Sequence, residues 1–333
     1  MKDIVLIEPN CPQWKGNLHM HTNRSSDCNT DHIEALNEYK SKGYNFILVS
    51  DHEIYWASEQ ADSEGFCTLY GAESAFNRHP KRPYELAEEA KSLHLNIIQD
   101  ENAAAEIPCF EHDQILPRPV DFGLDSWNAC IDRYKKMGHI VMLNHPNWSR
   151  LSPELMLGIN GCFAFEVFNG GSIWEVGCYT DDAIWDYCLR HGKRIYAAAG
   201  DDTHKYAEEG ECCGSSFNML STPELNRRAI VDGLKSGNFY PSTGPLIYEM
   251  RIENDTLYMR FSPARSIRII GAPGHGVGKL MPKNKTIEEY SWKIDNKLQY
   301  FRIVIAAPDG GKAWTQPVFL EDILEEPRYN NVR

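Results

Sequence analysis

Gly16-Asn17-Leu18-His19-Met20-His21-Thr22 closes a short apolar run on two histidines spaced i, i+2. Four later runs end in the same way: Ile47-Leu48-Val49-Ser50-Asp51-His52, Leu69-Tyr70-Gly71-Ala72-Glu73, Ile140-Val141-Met142-Leu143-Asn144-His145-Pro146, and Tyr196-Ala197-Ala198-Ala199-Gly200-Asp201-Asp202-Thr203-His204. Residues i and i+2 on a strand point to one face, so His19 and His21 can grip a single ion. A barrel of parallel strands gathers its strand ends at one rim. Ligand-type residues far apart in the chain therefore read as one metal site.

Around these runs, strand-like and helix-like segments alternate from residue 16 to about residue 205. Asp31-His32-Ile33-Glu34 carries a capping-box pattern, with Ile33, Leu36 and Tyr39 at helical spacing before Gly43. Helices are predicted over Pro83–Ser92, Ser126–Met137 and Thr180–His191, the last two stopped by Gly138 and Gly192. The rhythm predicts a parallel sheet covered by helices, open or closed into a barrel. It fails between Asp100 and Phe122, where Pro108, Pro117 and Pro119 mark a long acidic loop, either a lid or a surface insertion. After Pro245 the texture changes to short strands over 247–252, 256–261, 266–271, 286–294 and 300–306. A turn at Pro308-Asp309-Gly310-Gly311 then leads into 313–319. Residues 1–245 thus read as an α/β unit and 246–333 as a small antiparallel β domain, sandwich-like.

Composition narrows the function. A hydrophobic content of 42% and a charged content of 24% describe a chain with a sizeable core. A net charge of −13 argues against stable nucleic-acid or anionic-membrane binding, although bound cations can reverse the field locally for a phosphate substrate. No apolar stretch approaches the ~20 residues needed to cross a bilayer. The N-terminus, Met1-Lys2-Asp3-Ile4-Val5-Leu6-Ile7-Glu8, is too short and too acidic for a signal peptide. The ten cysteines form no C-x-x-C pair, so a reducing compartment is the simpler reading and thiolate zinc is not expected. A cytoplasmic protein is predicted, with an export signal already removed as the alternative.

Of the twelve histidines, His32, His79, His112, His139, His191 and His275 read as structural or exposed. The others stand in patterns that are weak singly and strong together. Gly16–Thr22, Ser26-Asp27, Ser50-Asp51-His52, Gly71-Ala72-Glu73, Asn144-His145-Pro146 and Asp202-Thr203-His204 resemble the motifs of the PHP (polymerase and histidinol phosphatase) superfamily. Cys28 stands where that family usually has glycine. In the tail, Gly237–Pro245 and Ala313-Trp314-Thr315-Gln316-Pro317 resemble the branch that includes carbamate hydrolases.

The resemblance implies a distorted seven-stranded β/α barrel with a site for two or three divalent ions, zinc, manganese or iron. By it, His19, His21, Glu73 and Asp202 would hold the first ion. Glu73 would bridge to a second ion held also by His94 and His145. Asp27, His52 and His204 would hold a third. Asp201 reads as an acid outside the ligand set, because Asp202-x-His204 places two ligands on one face.

Asp51 alternates to the face opposite His52 and is a candidate catalytic residue that orients a neighbouring ligand; capping a helix is its alternative role. Arg24 is the best candidate to bind an anionic substrate and assist catalysis, ahead of Arg78, Arg150 and Lys205. Glu166 and Asn169 close another strand at the same rim. Asn169 is a candidate substrate contact, and neither carries a metal role.

The leading reading is a metal-dependent phosphoesterase acting on a small phosphate ester, nucleotides included. Hydrolysis of a carbamate or ester on the same ions is the runner-up. A non-catalytic binding protein with a vestigial metal site is the reading from another class.

Overall fold

The computed structural model describes residues 1–77, 92–117, 123–206, 212–272 and 275–324. The predicted helix over Pro83–Ser92 falls on residues 83–91 outside this set, apart from Ser92; Arg78 and His79 also lie outside it.

The first eleven strands are β1 (Ile4–Ile7), β2 (Gln13–Asn17), β3 (Phe46–Leu48), β4 (Cys67–Leu69), β5 (Gly71–Asn77), β6 (Ser92–Gln99), β7 (His139–Leu143), β8 (Ala164–Asn169), β9 (Tyr196–Gly200), β10 (Phe217–Ser221) and β11 (Phe239–Ser242). Eight more follow: β12 (Ile247–Glu253), β13 (Thr256–Ala264), β14 (Ser266–Gly271), β15 (His275–Leu280), β16 (Ile287–Lys293), β17 (Tyr300–Ala306), β18 (Lys312–Trp314) and β19 (Val318–Phe319).

Strands β2, β3 and β4 run parallel, and β10 lies antiparallel against β2. A five-stranded sheet, β5-β6-β7-β8-β9, is antiparallel over its first three strands and parallel over the rest. The even β-α-β-α rhythm is therefore only partly present, and the chain is rich in sheet. The apolar runs were strands as expected, but periodicity carries no information about strand direction. The two sheets approach each other through isolated parallel bridges, Met20 with Thr203 and His52 with Glu73.

One core cluster takes a buried residue from each of several strands or the turn just after: Leu18, Phe46, Leu48, Leu69, Ile98, Met142, Ala164 and Ala198. The helix Arg227–Ser236 closes its lower end with Ile230, Val231 and Leu234. Helix His32–Ser41 is capped as its sequence predicts, the Asp31 carboxylate accepting from the Ile33 N–H. The helices Leu124–Lys136 and Asp182–Arg190 occupy the predicted places within a few residues. Residues 100–117 carry no helix or extended strand, as their prolines require. Among the described residues no helix is long and apolar enough to cross a membrane.

Beyond Pro245 the strands are antiparallel. Sheet β1-β12-β13-β16 recruits the start of the chain, since Ile4 pairs with Ile252. The β15-β14-β17-β18 layer joins the first unit where Ser242 of β11 pairs with Ala313 of β18.

His139 bears out its structural reading. It is buried, its Nε2 accepting from the Tyr55 hydroxyl at 2.8 Å and its Nδ1–H donating to the Tyr134 carbonyl at 3.2 Å. Burial pulls its pKa down to about 4. Between that value and the ordinary ~6.5 the unfolded chain binds the extra proton, so stability is full above ~6.5 and falls as pH drops. Urea titrations at pH 7 and pH 5 should show a His139→Gln protein losing about 2 kcal/mol less than the parent over that interval. Equal losses in the two proteins would show that His139 is not held neutral.

Candidate metal centre

The strand-end residues arrive from several elements and gather around Glu73, the third residue of β5. His19 and His21 leave β2 with Met20 between them turned into the core on the other side. His19 Nε2 lies 3.4 Å from Glu73 Oε1 and 3.2 Å from Asp202 Oδ1. His21 Nε2 lies 3.4 Å from Glu73 Oε2 and 3.2 Å from the same Asp202 oxygen. His94 Nδ1 approaches Glu73 Oε1 to 3.0 Å, and His145 Nε2 to 3.6 Å. At the open side, His52 bridges Glu73 Oε2 at 2.9 Å and Asp27 Oδ2 at 3.3 Å. His204 Nε2 stands 3.6 Å from Asp27, its ring stacked at 4.1 Å on that of His21. All nine residues expected as metal ligands thus come together.

Four buried atoms here have no hydrogen-bond partner: His19 Nε2, His21 Nε2, His52 Nδ1 and Glu73 Oε2. His52 Nδ1 and Glu73 Oε2 are at ion-pair distance but lack hydrogen-bond alignment, so both keep unused bonding capacity. A buried polar atom left unsatisfied costs about 1–3 kcal/mol, and divalent cations bound among these atoms would remove that cost. Imidazole mixed with carboxylate is a donor set for zinc, manganese or iron.

The electrostatics point the same way. Burial opposes the charge of Glu73 and Asp202, yet the surrounding histidines hold both well below the usual carboxylate range. Burial also opposes protonation of His52, but Glu73 and Asp27 outweigh it and push the pKa up to about 11. His21 has the opposite balance: burial, with His204 and His52 beside it, pulls its pKa down to about 4.

The backbone is bent to serve the cluster. Glu53, His145 and Asp202 have φ of +54°, +27° and +53°, a region that residues other than glycine seldom occupy. Of the paired acids, Asp202 enters the cluster. Asp201 turns away and accepts from the N–H groups of Gly214 and Ser216 and from the Ser215 and Ser216 hydroxyls. Burial raises its pKa to about 6.

Three expected site residues are placed behind the cavity instead of in it. Asp51 is fully buried and accepts from the Thr22 N–H at 2.7 Å, the Thr22 hydroxyl at 2.7 Å and the Ser25 hydroxyl at 3.0 Å. Its carboxylate fixes the loop that carries His21 and Asp27, and Ser25, which donates to it, also meets His21 Nδ1 at 3.1 Å, a placement that suits a residue orienting a neighbouring ligand. Arg24 donates to the Tyr55 carbonyl and to Asp113, lies over the Trp56 ring and stands 3.7 Å from Asp51 Oδ2, and it does not line the cavity. Asn169 gives its amide N–H groups to Glu166 Oε2 and Asp202 Oδ2, accepts from the Ser172 N–H with its oxygen, and does not line the cavity.

A cavity of about 280 Å³ opens over the cluster, walled by Ser26, Asn77, Trp148 and Glu175 besides the ligand-type residues. Trp148 packs its ring 5.1 Å from that of His94 and 4.9 Å from that of His145, and its indole N–H donates to Glu175. Sequence reading missed both walls, although Trp148 stands three residues after His145 in a strand-end loop. A larger cleft of about 640 Å³ lies on β12, β13 and β16 between Arg251, Tyr258 and Arg260. No metal-ligating group gathers there among the described residues.

No family model matches the chain, and no curated protein matches it. A two-domain protein from Bacteroides vulgatus, described as containing a predicted PHP-like metal-dependent phosphoesterase, is similar in structure. It is 16% identical with a TM-score of 0.47, over 96% of this chain and 98% of that one. An amidohydrolase from Chromobacterium violaceum, with bound sulfate and no metal, is 15% identical with a TM-score of 0.41, over 67% of this chain and 96% of that one.

Proposed function

We propose that this chain is a metal-dependent hydrolase of the PHP type, acting first of all on phosphate esters. The observation that carries the reading is the set of four buried, unpartnered atoms, from His19, His21, His52 and Glu73, turned toward one another beneath an open cavity. Seven strands, β2, β3 and β5 to β9, are read as a distorted barrel. The bridges Met20–Thr203 and His52–Glu73 and the shared interior cluster support that closure. Residues 1–245 form the hydrolase unit in this reading, and 246–333 the β domain.

His19, His21, Glu73 and Asp202 would hold the first ion, Glu73 with His94 and His145 the second, and Asp27, His52 and His204 the third. Divalent ions so held lower the pKa of a bound water toward ~7 and draw charge from phosphoryl oxygens. The protein's own part is to fix these donors before substrate arrives. Glu73 presents both of its oxygens to histidines, Asn144 donates to its Oε1 at 2.7 Å, and Ser25 meets His21 Nδ1 at 3.1 Å. Trp148 covers the rings of His94 and His145 and limits water on that flank.

The tail motif that resembles the carbamate-hydrolase branch has a structural use here. Gln316 exchanges two hydrogen bonds with the Ala197 backbone, and Trp314 donates to Asp182. Among the described residues, neither contact reaches the cavity. Elemental analysis of protein purified without chelator should find at least one zinc, manganese or iron per chain. The metal-loaded protein should hydrolyse p-nitrophenyl phosphate or bis-p-nitrophenyl phosphate faster than p-nitrophenyl esters or carbamates, with loss on chelation. Turnover of carbamates alone selects the runner-up. Protein without metal or turnover sinks the enzyme reading in favour of a vestigial site.

A further inference from the structure

We infer that Glu166 is the positioning residue that sets two of the proposed ion sites together, holding His19, His145 and Asp202 through one carboxylate. The inference rests on the metal-binding reading above and extends it to a residue outside the ligand set. Glu166 is fully buried on β8 and does not line the cavity. Its Oε1 lies 2.8 Å from His19 Nδ1. Its Oε2 accepts from the His145 backbone N–H at 2.9 Å and from Asn169 Nδ2 at 2.8 Å. The same Asn169 nitrogen stands 3.2 Å from Asp202 Oδ2.

Each contact acts on a different ligand. With the Nδ1–H of His19 donated to Glu166, the Nε2 lone pair is left facing the cluster, where that atom has no other partner. The His145 backbone is strained at φ +27°, and the bond from its N–H to Glu166 helps to hold it there. Asn169 passes the same carboxylate's position on to Asp202. Glu166 therefore ties β8 to residues beyond the ends of β2, β7 and β9, one bond to each or one bond through Asn169.

Gly200 is a separate observation on the same arrangement. A Cβ there would stand 1.9 Å from Glu166 Oε1 and 2.8 Å from the His19 Cβ. Any other residue at the end of β9 would drive the carboxylate off His19. The glycine just ahead of Asp201-Asp202 thus has a specific use, to leave room for the Glu166–His19 contact.

The test is a cobalt titration of metal-depleted parent, Glu166→Gln and Gly200→Ala proteins, with the visible spectrum of each loaded form. In Glu166→Gln the amide oxygen still accepts from His19, but its NH₂ faces the N–H groups of His145 and Asn169. In Gly200→Ala the added methyl displaces the carboxylate. Both variants should bind cobalt 10- to 100-fold more weakly than the parent and show a shifted cobalt absorption band. Their metal-free forms should unfold at temperatures close to the parent's. Parent-like affinity and spectrum in both variants overturn the inference while the metal centre stands. So does weakening that only tracks a loss of metal-free stability. A parent protein that binds no cobalt overturns the metal-centre reading itself.

Discussion

A Glu73→Gln protein should fold, lose its bound metal and fall in phosphoesterase turnover by roughly 10²- to 10³-fold or more, at least the loss seen on removing one major electrostatic stabiliser. Five histidines come within 3.6 Å of this one carboxylate: His19, His94 and His145 at Oε1, His21 and His52 at Oε2. Glutamine keeps the volume and the Asn144 contact but removes the charge and turns an NH₂ toward imidazole nitrogens. No neighbour replaces it, because Asp202 reaches only the His19, His21, His145 and His204 side of the cluster. The first two ions lose their shared ligand together, so elemental analysis should show more than one site emptied by a single substitution. Parent-level turnover in metal-depleted Glu73→Gln protein would refute the mechanism. Loss of turnover with full metal content would move Glu73 from ion binding to a direct part in the reaction.

The gathering of these nine residues was legible because its signal is local. Each apolar run ends on a residue type that rarely closes a strand without a use, and i, i+2 spacing sets the face. His94 was the least patterned of the set, yet it reaches Glu73 from β6 because β6 lies antiparallel on β5. What failed to show was how the surrounding polar groups are shared. Alternation put Asp51 opposite His52, but nothing in the sequence said that Thr22 and Ser25 would occupy its carboxylate. Arg24 looked available as a cation near the ligands, and Asp113, far along the chain, took it.

The same limit applies to the fold. Ile4–Ile7 was weighed only as a signal peptide and set aside, and its role as a strand did not show because its partner Ile247–Glu253 lies beyond any local period. Strand β15 was missed because Gly276 and Gly278 suggest turns. A Cβ at Gly278 would in fact sit 2.2 Å from the Ile267 carbonyl, so the glycine serves a close strand approach.

Arg302→Ala should destabilise the protein by about 3 kcal/mol, the lower end for breaking a buried ion pair because both partner acids are partly exposed. Arg302 on β17 is fully buried. Its guanidinium meets Asp186 through two hydrogen bonds, at 2.8 and 2.9 Å, lies 2.9 Å from Asp182 and packs 4.7 Å over the Trp185 ring. Asp182, Trp185 and Asp186 all belong to the helix Asp182–Arg190 of the first unit. Arg302 is thus a main link by which the β domain grips the strand-and-helix layer behind the metal centre. For a chain of this size the loss corresponds to a fall of roughly 4 °C in unfolding temperature. Arg302→Lys should recover less than half of it, since an ammonium cannot reproduce the two-point contact with Asp186. Metal content decides what the grip is for. Asp182 and Asp186 contact none of the ligand-type residues through a hydrogen bond or ion pair among those described, so the folded Arg302→Ala protein should bind metal as the parent does. That result makes the β domain a buttress. Metal lost from folded protein would mean instead that β17 sets the geometry of the centre through the helix it holds.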